Sequence, residues 1–200
     1  MSQSPLTANE GEDKSLLYKQ GWRALNRLLH QDRSFSGREK NCAFINCKGK
    51  GFADNSAVTG FNFADDARAL VANDWDFDGD LDVWLTCRNA PRVRLLENRS
   101  EKNAEWLGIK LKGDGVKVNR DAVGATVEVW IEGASSPLLR TVHGGDAFLS
   151  QAGSFLHFGL GESKNIKKVI VNWGGNFSTE ILGIESSNFY IISSESQEPV

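Results

Sequence analysis

The chain has 200 residues, 40% of them hydrophobic, enough to build a core in one large domain or two small ones. Its net charge of −3 gives no reason to expect a nucleic-acid partner, and no apolar run approaches the length that crosses a bilayer. Twenty glycines, eleven phenylalanines and a single methionine point to short strands and many turns. The opening "MSQSPLTANEGEDK" lacks the basic and apolar regions of a signal peptide. Two settings stay open: the cytoplasm if Met1 is the native start, or an extracellular, periplasmic or surface location if the chain is trimmed from a longer precursor.

Residues 1–13 are polar and are expected to form a disordered tail. From Ser15 to His30, Leu17, Ala24, Leu25, Leu28 and Leu29, with Trp22, recur at helical spacing, and Gly21 weakens this helix without forbidding it. "SFSGRE" reads as a loop. From Cys42 the character changes to strands: "CAFIN", "ARALVAN", "LDVWLTC", "RVRLLEN", "WLGIKLK", "GATVEVWI", "LLRTVH", "SFLHFGL", "KKVIVNW", "STEILGI" and "FYIISS". Turn signals such as "GKG", "GDG", "EGASSP", "HGGD" and "WGGN" separate them. In "ATVEVWI" the alternation puts Val127, Val129 and Ile131 on one face. Many short strands indicate a mainly β protein with an antiparallel sandwich or barrel. A composition shift near "ENRSEKNAE" places a domain boundary there, dividing residues 14–103 from 104–194 and leaving 195–200 as a tail.

Cys42, Cys47 and Cys87 form no CxxC or Cys/His pattern that would hold zinc. Either of the first two could meet Cys87 across paired strands, or all three could be ordinary buried thiols.

The densest chemistry lies in "DWDFDGDLD", residues 74–82, where Asp74, Asp76, Asp78, Asp80 and Asp82 alternate with other residues. In a flat strand they would share one face, roughly 7 Å apart, with no cation between them. A bound hard cation resolves the repulsion, and calcium takes six to eight oxygen ligands. Asp74, Asp76 and Asp78 would supply side chains at positions one, three and five, with Gly79 turning the chain at position six. Asp80 is expected to offer its backbone carbonyl, and Asp82 to close the site at position nine. An EF-hand would need a glutamate at position twelve, where Leu85 stands, and a helix on each side. The pattern predicts instead a calcium loop joining two antiparallel strands, with Trp75 and Phe77 facing inward. The ion is expected to be structural, because five acidic residues leave little room for an open position.

Three further groups can be read either as sites or as parts of the fold. Asn119, Arg120 and Asp121, before Gly124, form either a ligand-receiving loop or a polar turn. His143, Asp146 and Ser150 have neither the order nor the spacing of a nucleophile elbow. Ser150 and Gln151 better suit hydrogen bonds to a buried turn, and His157 an outward or satisfied position in a strand. Trp84 and Trp106 are expected in the core. Trp130 and Trp173 close strands beside turns, where an exposed indole could stack on a sugar.

The stretch "FINCKGKGFADNSAVTGFNFADDARALVANDWDFDGDLDVWL" resembles a calcium-binding blade of the FG-GAP or VCBS type. Downstream, "NRDAVGATVEVW", "GGDAFLSQ", "LHFGLGE" and "VIVNWGGN" resemble the ASPIC/UnbV domain of cartilage acidic protein-like proteins. "GWRALNRLLHQDRSFSGREKNCAFIN" is similar to the segment entering the last calcium repeat of bacterial members, so the resemblance spans residues 21 to 194. It implies secretion or surface exposure, calcium binding, and adhesion-type contacts with glycans or proteins. Some relatives sit in enediyne biosynthesis clusters. The chain departs from the pattern in carrying one blade rather than a propeller, no signal peptide, and "WGGN" in place of Trp-Pro-x-Gly.

The expected protein is therefore an N-terminal helix, a calcium blade and an ASPIC/UnbV-like sandwich. Its expected function is non-catalytic, calcium-stabilised recognition of carbohydrate or protein through Asn119, Arg120, Asp121, Trp130 and Trp173, away from the metal. One alternative is an accessory protein or enzyme of natural-product biosynthesis. Another is a subunit of a larger assembly docked through residues 14–30.

Overall fold

The computed structural model describes residues 14–30, 39–88, 90–100, 104–145, 147–153, 155–162 and 165–195. The tail expected over 1–13, most of the "SFSGRE" loop, Asp146 and residues 196–200 lie outside these. The described chain is mainly β with one N-terminal helix, and it divides into two compact units, one ending at Asp66 and the other starting at Ala67. The division falls between "FNFADD" and "ARALVAN" rather than at the charged stretch before residue 104.

In the first unit, α1 (Lys14–His30) carries Arg27 and His30 in its last turn, where they complement the partial negative charge of the helix C-terminus. Leu17 and Leu25 are half-buried, while Ala24 and Leu28 are exposed. Leu16, Tyr18, Trp22 and Leu28 are between 41% and 65% exposed. Strands β1 (Phe44–Asn46) and β2 (Phe52–Asp54) form a two-stranded hairpin. β2 is a strand that sequence patterning overlooks, since all six residues of the hairpin's strands are exposed and carry no burial alternation.

The described residues of the second unit form three sheets. β3 (Ala67–Asn73), β4 (Asp82–Cys87) and β5 (Val93–Leu96) form an antiparallel sheet. The hairpin β1–β2 is a sheet of its own. β6 (Glu105–Lys112), β9 (Leu156–Gly161) and β12 (Asn188–Ser193) form the second sheet, in order β12-β6-β9. β7 (Thr126–Ile131), β8 (Leu138–Thr141), β10 (Ile166–Gly174) and β11 (Phe177–Ile181) form the third, in order β11-β10-β7-β8. The sandwich is antiparallel except where β12 runs parallel to β6, with Asn188 opposite Leu107 and Ser193 opposite Lys112.

Period-two alternation builds the core between these last two sheets. Leu107, Ile109 and Leu111 alternate along β6, Val127 and Val129 along β7, and Val169, Val171 and Trp173 along β10. With Phe158 and Ile192 they form one buried cluster. All three cysteines lie outside that cluster; Cys42 and Cys47 are exposed, Cys87 is buried, and none is in a disulfide.

The loop after β6 is held by one carboxylate. Asp114 Oδ1 accepts the N–H groups of Val116, Lys117 and Val118, each at 2.9 Å. The N–H groups of Val118 and Val116 lead the effects that hold this carboxyl below its ordinary value of 3.8. A depressed acid stabilises the fold above the unfolded value, and loses that contribution as pH falls through the folded one. Asp114→Asn should therefore melt below the parent at about pH 7, with the gap closing as pH falls below 3.8. Thermal melts over that range check this, and a gap of constant size would assign the effect to shape rather than charge.

Candidate functional site

The aspartate loop joins β3 to β4 in an antiparallel hairpin whose last pair is Asn73 opposite Asp82, as the strand patterning predicts. Its turn is built from local hydrogen bonds. Asp74 Oδ1 accepts the N–H of Asp78 at 3.1 Å, Asp74 Oδ2 accepts that of Gly79 at 2.9 Å, and Asp78 Oδ1 accepts that of Asp80 at 3.1 Å. Gly79 has φ +98°, a conformation that favours glycine. It is also covered by an aromatic ring: a Cβ placed there would lie 1.9 Å from Trp106 Nε1.

Within this loop Asp74, Asp76 and Asp78 converge, each offering a carboxylate oxygen within 4.8 Å of the others. Burial pushes the Asp74 carboxyl above its ordinary value; the N–H groups of Gly79 and Asp78 oppose that shift, and the Asp78 charge adds to it. A cation would relieve both the burial cost and the repulsion. Three hard oxygen donors at this spacing could hold a metal ion. Asp80 and Asp82 lie outside the converging group. Asp82, expected as the ninth-position ligand, is only 3% exposed and acts as a tie. Its Oδ2 accepts the N–H of Trp75 at 3.3 Å, and its Oδ1 the N–H of Asn98 at 2.9 Å.

The two aromatic residues of the loop do not face inward between the ligands. Trp75 is exposed and packs edge-on against Trp84, with ring centroids 5.1 Å apart. Phe77, at φ +60°, packs edge-on against Phe189 at 5.3 Å and Phe155 at 6.4 Å. The sandwich reaches the loop from the other side through His157. Its Nε2–H donates to the Gly79 carbonyl at 2.9 Å, which fixes the proton on that nitrogen because a carbonyl only accepts. The imidazole lies nearly parallel to Trp106, which in turn contacts Phe189 at 4.6 Å. Trp106 is half-buried at this junction rather than in the core.

Two cavities flank the junction. One, of about 670 Å³, is lined by Asp78, Asp80, Glu105 and Glu162, with no lysine or arginine among its described lining residues. The other is a cleft of about 910 Å³ walled by Phe77, Phe155, Leu139 and Val123, and it also receives Asp74, Lys110, Asp121, Arg140 and His143. Sequence reasoning missed this cleft, because its walls come from segments far apart in the chain.

Of the other expected site residues, only Asp121 lines the cleft. Asn119 closes its own turn: its amide N–H donates to the Val123 carbonyl at 2.9 Å and its Oδ1 accepts the Val123 N–H at 2.8 Å. Arg120 lends its carbonyl to the N–H of Gly113 at 3.0 Å. Trp173 is 6% exposed and its indole donates to Thr179 Oγ1, so it presents no face to a sugar. Trp130 is half-buried and donates to Glu128 Oε2 at 3.1 Å. Ser150 donates to the Leu70 carbonyl at 2.7 Å, and Asp146 lies outside the described residues.

Residues 115–199 match the protein family described as ASPIC and UnbV. The folded unit is larger than the match, since β6, the central strand of its sheet, lies N-terminal to it. No curated protein matches the chain.

Proposed function

We propose that this protein is a non-catalytic, calcium-stabilised binding module that receives its ligand in the 910 Å³ cleft beside the aspartate loop. One observation carries the reading: the loop that gathers Asp74, Asp76 and Asp78 also puts Phe77 into the wall of the cleft. Those three carboxylates would hold the ion, and the acidic 670 Å³ cavity beside them favours a cation's approach. In this reading the loop is of the FG-GAP/VCBS calcium type, and the ion fixes the cleft wall instead of acting at a distance from it. A calcium-rich extracellular, periplasmic or surface setting follows. The cleft's size lies within the range of small-molecule sites, which favours a compact ligand or a single inserted group over a broad docking face. A binding role is preferred to a hydrolytic one because the Ser150 hydroxyl is committed to a strand carbonyl, and His143 makes no hydrogen bond to a described residue.

Titration of chelator-treated protein with calcium should give about one site, with magnesium far weaker because it holds its waters and demands a tighter octahedral shell. Calcium at about a hundred times its Kd should add about 2.7 kcal/mol of stability, a rise of roughly 8–10 °C in Tm. Absence of calcium heat, or equal affinity for magnesium, would remove the reading.

A further inference from the structure

The cleft leaves apolar side chains in contact with solvent: Leu81, Val123, Leu139 and Phe77 are between 37% and 62% exposed. Folding has not buried them against one another, and apolar surface gathered in a concavity of this size is the usual mark of a ligand site. The charges beside it are unbalanced. Lys110 Nζ stands 5.9 Å over the Phe155 ring, and Arg140 Nη1 donates only to the neighbouring Leu139 carbonyl at 3.4 Å. Among the described residues neither cation has a carboxylate within ion-pair distance. Two carboxylates, Asp74 and Asp121, share the lining. Asp74 is engaged by the loop's own N–H groups and belongs to the metal cluster, which leaves Asp121 as the one acid against Lys110 and Arg140, with His143 alongside.

Building on the proposed binding role, we infer that the cleft takes an amphipathic anion: a compact, ring-bearing apolar body with one acidic group. The body contacts Phe77 on the aspartate loop and Leu139 on β8. The acidic group lies toward Arg140 and Lys110, where a charge-assisted hydrogen bond to guanidinium or ammonium replaces part of its hydration. Asp121 sets the selectivity, since it penalises a second negative charge on the ligand. The two cavities thereby divide by sign: the acidic one serves the cation, and this one serves the anion.

The test uses two aryl-naphthylamine probes on the intact, calcium-loaded chain. Anilinonaphthalene sulfonate carries an anionic group, and N-phenyl-1-naphthylamine is its neutral counterpart. Titration should show saturable one-to-one binding, with the anion at least about threefold tighter, the scale of a solvent-screened charge contact. Arg140→Gln should weaken the anion by a similar factor, Asp121→Asn should strengthen it, and neither should move the neutral probe. Phe77→Ala and, on a separate strand, Leu139→Ser should weaken both probes. Equal affinity for the two probes with silent charge variants would reduce the cleft to an apolar patch and overturn the inference. No saturable binding of the anion would overturn it as well. If calcium still binds and stabilises the chain in either case, the ligand class fails while the calcium-module reading stands; if calcium fails too, both go.

Discussion

Gly79→Ala is expected to destabilise the second unit by about 4 kcal/mol and to remove most of its calcium affinity. Two independent costs meet at this residue. At φ +98° an added Cβ strains the backbone by about 1–2 kcal/mol. The same Cβ would lie 1.9 Å from Trp106 Nε1, so the indole must leave its place between His157 and Phe189. Each lost aromatic contact adds about 0.5–1.5 kcal/mol. The calcium effect follows because the N–H of Gly79 holds Asp74 Oδ2, and the turn that aims Asp74 and Asp78 depends on this bond. Denaturant melts and calcium titration of the variant check both parts. Trp106→Ala in the Gly79→Ala background separates the costs: if the clash dominates, removing the indole should recover part of the loss relative to the two single variants added together. A fully additive double variant would put the whole effect in the backbone.

Sequence patterning captured what repeats locally. Val127 and Val129, or Val169 and Val171, alternate with half-buried neighbours, so their strands and inner face were legible from period two alone. β2 was not, because "FAD" is exposed throughout and nothing in a three-residue strand marks one face as inner. The parallel pairing of β12 with β6 was hidden for a different reason: strands so far apart in the chain leave no local trace of their partner or direction. The charged run near residue 100 resembles a linker in composition, and nothing in it shows what the next strand contacts. Glu105 instead opens β6 and accepts hydrogen bonds from Ser186 and Ser187 at 2.8 and 2.7 Å, and Trp106 packs on the aspartate loop. The convergence of Asp74, Asp76 and Asp78 around a turn at Gly79 was legible in the alternation. Strict alternation cannot distinguish a carboxylate that faces an ion from one that turns back to bind the chain, and Asp82 accepts two backbone N–H groups.

That distinction makes Asp82 the sharper test of the loop. Asp82→Ala should cost about 3 kcal/mol, because it leaves the N–H groups of Trp75 and Asn98 without their acceptor at a position only 3% exposed. One carboxylate oxygen holds the start of the aspartate loop after β3 and the other holds the chain just beyond β5, so its loss frees both edge strands at the loop end of the β3–β4–β5 sheet. Asp82→Asn keeps one oxygen and places an amide group opposite the other N–H, and should retain no more than about half of the contribution. Calcium titration then decides the role. A tie that only shapes the hairpin predicts that Asp82→Asn, at a temperature where it is fully folded, binds calcium within a few-fold of the parent, whereas Asp76→Asn, which alters a converging carboxylate, binds far more weakly. If Asp82→Asn loses as much affinity as Asp76→Asn while its melting point without calcium is unchanged, Asp82 contributes to the ion after all. Its two backbone bonds would then be secondary to a ligand role.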